Sequence, residues 1–134
     1  MKKYPEKILV AWAEAISGNT EIRDWLMKNG YPELGLFRFA LFFDKAACDW
    51  LIKNAPHLMA TIKAIEGKKQ AFKWLEVNQF DLLIRLAKAS DNNKEELKYL
   101  MRNDPLFAAI ALRIQLVKNE IEEANNDVHR WGFE

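Results

Sequence analysis

Cysteine is almost missing from this chain. The one copy, Cys48, has no internal partner, so no disulfide can staple the fold, and a reducing compartment is the expectation. A charge excess of either sign is missing too: 20 basic side chains stand against 19 acidic ones, so no global field draws in nucleic acid or an anionic membrane. No apolar run approaches the roughly 20 residues of a membrane span. The run from Ile8 to Ala13 is broken by Glu14 and is too short for a signal peptide, which makes the cytoplasm the predicted location. Histidine occurs only at His57 and His129. They stand far apart in the chain and neither has a partner at ligand spacing, so no zinc or other metal site is assigned. There is no Walker loop, no Gly-rich dinucleotide turn and no Ser elbow. No catalytic residue and no cofactor follow, and the chain reads as a non-enzyme. Alternating strand patterns, linkers and low-complexity tracts are also lacking.

What the chain has is aromatic residues on a beat. Five tryptophans and eight phenylalanines are many for 134 residues, and the tryptophans recur in phase. Trp25-Leu26…Asn29, Trp50-Leu51…Asn54 and Trp74-Leu75…Asn78 are three copies of one signature, and Tyr99-Leu100…Asn103 is a fourth. The aromatic returns about every 25 residues, and a fixed period in that range marks stacked supersecondary units. Each unit reads as two short helices. Ile22, Trp25 and Leu26 share one helical face, as do Ala47, Trp50 and Leu51, and Ala71, Trp74 and Leu75. Asn then ends the helix by taking the left-handed conformation that it tolerates. Proline follows at Pro32, Pro56 and Pro105 and suits the first position of a new helix. Asp104 is a candidate N-cap, and Asp81 starts the one helix without proline. The intervening helices are apolar and end at Asp44, Gly67 and Ser90 to Asn93. The sequence therefore predicts an all-α solenoid of about 25-residue helix–turn–helix repeats, ankyrin-like or HEAT-like. It predicts about nine helices in a single domain over 1–134, with a capping helix and tail from about 105.

The run Ile62-Lys63-Ala64-Ile65-Glu66-Gly67, followed by Ala71-Phe72, Trp74-Leu75 and Asn78, resembles an ankyrin repeat. Ala13 to Gly18 with Ile22, Trp25-Leu26 and Asn29-Gly30 is similar to the same frame. The likeness extends in frame over residues 10 to 116. It departs from the family in unit length, because an ankyrin unit has about 33 residues and opens on Thr-Pro-Leu-His; the nearest match here is Ala55-Pro56-His57-Leu58. The residues absent are those of the protruding hairpin with which that family commonly grips partners. The resemblance implies a helix-pair solenoid and a non-catalytic protein-binding role.

Candidate surfaces follow from the same pattern. The signature aromatics, at helical spacing beside Leu, are expected between repeats in the core rather than as a stacking ladder. Cys48 is expected as a buried apolar filler, since no histidine is placed to activate it. Arg38, Lys63, Lys88 and Arg113 fall one repeat apart, and stacking would align them as an anion-binding row; the alternative is a solvated face with local pairs Lys63–Glu66 and Lys88–Asp91. Helix-pair solenoids include DNA-repair enzymes with basic concave faces, and this row is the one feature in common with them. Lys28, Lys53 and Arg102 are explained by the negative pole of the helix dipole. His57, near a helix start, is expected at the surface. The helix after Pro32 is apolar nearly all round, which predicts that Phe39, Phe42 and Phe43 meet another chain. The tail with Trp131 and Phe133 is expected to fold back over the last repeat, or else to dock into a partner, which makes both rings candidates for partner binding. A protein partner or self-association is the leading reading, and a nucleic-acid or polyanion partner is the second.

Overall fold

The computed structural model describes residues 4–131, with side chains described through residue 124. Among the described residues there are nine helices and no strand. They are α1 (Glu6–Ile16), α2 (Thr20–Lys28), α3 (Pro32–Leu41), α4 (Lys45–Asn54), α5 (Pro56–Ile65), α6 (Lys69–Val77), α7 (Asp81–Ser90), α8 (Lys94–Asn103) and α9 (Pro105–Trp131). Pro32, Pro56 and Pro105 each take the first helical position, where a missing N–H leaves no hydrogen bond unmade. Asp104 receives the Phe107 N–H at 3.5 Å.

The repeat is written in the turns. α1, α3, α5 and α7 each run into a residue with positive φ: Gly18 (102°), Phe43 (64°), Gly67 (87°) and Asn92 (69°). One residue further on, the N–H of Asn19, Asp44, Lys68 and Asn93 reaches back to the carbonyl of Glu14, Phe39, Lys63 and Lys88, the six-to-one bond of a Schellman turn. The side chains of Asn19, Asp44 and Asn93 then cap α2, α4 and α8 by accepting the N–H three residues ahead.

The signature asparagines work differently from the sequence expectation. Asn29 and Asn78 have φ of −106° and −90°, not left-handed, and Asn54 and Asn103 are still helical. Each Asn instead donates its side-chain Nδ2 to the carbonyl of the signature aromatic four residues back, at 2.7–3.0 Å. At Trp25 and Trp74 the same carbonyl also accepts the backbone N–H of that Asn, so the side chain adds a second bond in the last turn of the helix. The left-handed residues of these links are Gly30 and Gln79. They occur only in the longer links, between α2 and α3 and between α6 and α7. Long and short units therefore alternate, and the presence or absence of that single residue is the whole difference.

α1, α3, α5, α7 and α9 form an inner layer, each packed on the next, and α2, α4, α6 and α8 lie outside, each packed on its two chain neighbours. An open solenoid keeps its first and last units apart. Here α9 packs on α1 and closes the circuit. Trp12 of α1, fully buried, meets Phe37 of α3 edge-on at 5.1 Å and Phe107 of α9 at 6.4 Å. α9 then runs past the ends of the inner helices and caps them with polar groups: Gln115 donates to the Ala89 carbonyl at 2.6 Å, Lys118 pairs with Asp91, and Arg113 donates to the Ser17 hydroxyl at 2.6 Å.

Leucines, not aromatics, hold the outer helices down. Leu26, Leu51, Leu75 and Leu100 are completely buried, while Trp25, Trp74 and Tyr99 keep 46%, 38% and 42% of their surface in solvent. Trp50 is partly buried against the core. The expectation that these rings are core is therefore overturned for Trp25, Trp74 and Tyr99, while Trp50 meets it in part. A face spanned by i and i+1 is about 100° wide, and the leucine takes the inward half of it.

Candidate functional site

The outer helices α4 and α6 flank a groove whose floor is α5. It encloses about 590 Å³ and is lined mainly by apolar surface from Phe43, Ile52, Met59, Ala60, Ala71 and Trp74, with Lys63, Glu66 and Lys68 at its edge. A cleft of a few hundred Å³ with apolar walls and a few polar groups is the usual form of a binding site. Trp74 is held on its wall by stacking on Phe80 at 5.8 Å, and Phe80 stacks in turn on His57 at 5.4 Å.

Sister positions in the neighbouring units explain why the groove is open here. Ala60 is the fifth residue of α5, and the fifth residues of α3 and α7 are Leu36 and Arg85. Leu36 packs against the core, and the adjoining Phe39 lies under the Arg23 guanidinium at 5.1 Å. Arg85 covers the Tyr99 ring at 3.7 Å and pairs with Glu96 at 3.0 Å. Tyr99 and Glu96 occupy in α8 the places that Trp74 and Ala71 hold in α6. Of α3, α5 and α7, the inner helices with an outer helix on either side, only α5 has so small a side chain at this place; Ala11 is its counterpart in α1 and Ala109 in α9, each with only one outer neighbour.

The apolar candidates divide. Phe39 and Phe42 are each covered on one face by a guanidinium, from Arg23 and Arg38 respectively, whereas Phe43 is 60% exposed and lines the groove. Phe43 also holds φ of 64° where two sister turns use glycine, a conformation that costs a side chain with a Cβ about 1–2 kcal/mol. Phe133 lies outside the described residues, as does the side chain of Trp131.

The basic row comes apart. Because alternate units differ in length by a single residue, Arg38 is the seventh residue of its helix, Lys63 and Lys88 the eighth, and Arg113 the ninth. Each step of one residue turns a side chain by about 100°. Arg38 donates to the Ile16 carbonyl at 2.5 Å and approaches Glu120 at 3.5 Å, and Arg113 binds Ser17 and lies 3.6 Å from Glu14. Both arginines belong to the closure of the circuit. Lys63 and Lys88 remain exposed, and Asp91, the expected partner of Lys88, pairs with Lys118 instead.

Cys48 is half-buried, with its thiol 3.7 Å from the Ala40 carbonyl, and burial, followed by the charges of Asp44 and Asp49, raises its pKa above the ordinary value of 9.0. That suppresses the thiolate a nucleophile would need. His57 is partly buried rather than fully at the surface. Its Nε2 is buried without a hydrogen-bond partner among the described residues, and burial lowers its pKa below 6.5. Among the described residues no cluster of His, Cys, Asp or Glu could hold a metal, and no helix is long and apolar enough to cross a membrane.

Ala60, Ile52 and Lys68 escape a reading based on the Trp-Leu signature, because their meaning lies in what the sister units have instead. Aligning the units on their turns would have singled out Phe43 opposite Gly18, Gly67 and Asn92, and Lys68 opposite Asn19, Asp44 and Asn93. Compared with known proteins, the chain matches no family model, no curated protein and no solved structure, so this geometry carries the functional reading alone.

Proposed function

We propose that this chain is a non-enzymatic helical-repeat interaction module, ankyrin-like in its helix pairs and closed by α9, that binds a protein partner on its outer layer. The observation that carries the reading is the open apolar groove between α4 and α6, with Phe43 and Ile52 more than half exposed at its walls. Packed helices on both sides and beneath fix the shape of that surface before any partner arrives. Little conformational entropy is then lost on binding. Self-association is the same reading with a second copy as partner. A polyanion partner is less well supported, because Lys63 and Lys88 are the only members of the expected row at one helical position.

Affinity capture on the immobilised chain from cells of its native source, with titration of the captured protein against purified chain, tests the module. Light scattering tests self-association. A saturable partner, or a defined oligomer, is expected. A monomer that retains nothing overturns the module, and salt-sensitive retention of duplex DNA or RNA in a gel shift would favour the polyanion instead.

A further inference from the structure

Three residues depart from the pattern of the sister units, each departure forgoes local packing or stability, and all three line the same groove. Ala60 is small where Arg85, its counterpart in α7, reaches over the Tyr99 ring. Phe43 holds a left-handed turn at φ 64° that Gly18 and Gly67 occupy without strain. Lys68 stands where Asn19, Asp44 and Asn93 cap the following helix; it makes no side-chain cap to α6. A lysine there also brings a positive charge to the positive end of a helix dipole. Strain and lost contacts gathered at one place point to a site kept for binding.

The chemistry of the occupant follows from the walls. Between positions 45 and 76 the chain carries six lysines against Asp49, Glu66 and Glu76, within a whole of net charge +1. The groove's own lining carries two lysines, Lys63 and Lys68, against the single carboxylate of Glu66. All three line it together, and Lys68 is itself the uncapped start of α6. Its floor and walls are apolar, and it opens to solvent rather than closing into a tunnel. Resting on the interaction-module reading, we infer that the α4–α6 groove receives an acidic amphipathic helix of a partner protein. Apolar side chains at i, i+3, i+4 and i+7 fill the space above Ala60 between Phe43, Ile52 and Trp74. A carboxylate beside them meets Lys63 and Lys68 and supplies the cap that α6 lacks.

The test is selection of binders from a displayed library of short helical peptides, followed by titration of the enriched, dye-labelled peptides by fluorescence anisotropy. Enriched sequences are expected to place apolar residues on one face with Asp or Glu at its border. Ala60→Arg, which installs the side chain of the next unit, is expected to abolish their binding. Lys68→Asn restores the cap found in the sister units, so it is expected to raise the unfolding midpoint while weakening binding about tenfold. Because that second variant gains stability, its loss of binding cannot be a loss of fold. Enriched peptides that are basic, or that bind both variants as well as the parent, overturn the groove assignment and leave the module standing on another surface. Enrichment of nothing, with laurate displaced by Ala60→Arg, replaces the helix with an acyl carboxylate and overturns the inference. Enrichment of nothing, together with no partner retained from the native source, ends both readings.

Discussion

At position 75 the chain buries a leucine completely, and one residue earlier it leaves more than a third of a tryptophan in water. The two side chains share a signature but not a task, and substitution separates them. Leu75→Ala removes buried methyl groups from between α6 and the inner layer and should cost about 2–5 kcal/mol. Trp25→Ala, at a ring nearly half exposed, should cost less than about 1 kcal/mol. Urea unfolding monitored by far-ultraviolet circular dichroism measures both, and equal costs would mean that the rings do pack between repeats. His57 gives the residue scale a pH dependence. Burial holds its folded pKa below the ordinary 6.5, so on acidification the unfolded chain takes up this proton first. The associated stability is complete above about pH 6.5 and is lost as pH falls from there through the folded value. His57→Phe keeps a ring against Phe80 and removes the titration. Between about pH 7.5 and 5.5 the parent's thermal midpoint should therefore fall further than the variant's; parallel falls would show that this imidazole carries no linkage.

The elements were largely legible, and the reason is local chemistry. Proline at a first helical turn, Asp44 as a cap and glycine at a turn each act over three or four residues, so α3, α4 and α5 could be placed without knowing their neighbours. The expectation for Asn failed because two mechanisms end a helix with the same residue: a left-handed backbone and a side chain folded back onto a carbonyl. Sequence spacing alone does not separate them. The candidate site was legible only in part. Phe43 was singled out for its bulk and apolarity, but its meaning depends on a φ of 64° that no composition reveals. That strain gives the prediction at this scale. Phe43→Gly restores the residue used at Gly18 and Gly67 and should stabilise the fold by up to about 1 kcal/mol while removing one wall of the groove. A thermal midpoint that rises while affinity for the partner drops is the expected pair of results. A midpoint that falls would mean that the Phe43 ring contributes more packing than its backbone costs.

For the whole molecule, a regular beat predicts units that repeat, but it does not say whether the last unit returns to the first. Contacts between opposite ends of the chain, such as Arg113 with Ser17, leave no mark in a local pattern. They also take up two members of the basic row, since the guanidinium groups of Arg38 and Arg113 both turn to the C-terminal end of α1. Closure has a thermodynamic consequence. In an open array each unit contacts only its neighbours, so terminal units open at lower free energy than central ones. With α1 packed on α2, α3 and α9, the first helix is held by three neighbours although Val10 still faces solvent. Native-state hydrogen exchange should therefore give the amides of Trp12 and Ala13 the same opening free energy as those of Ile62 and Lys63 in α5. Arg113→Ala should lower both by the same amount, about 0.5–1.5 kcal/mol for the hydrogen bond removed, because both exchange through one global opening. If α1 exchanges well before α5, or if the variant loosens α1 alone, the first and last helices touch without being coupled, and the array behaves as an open stack.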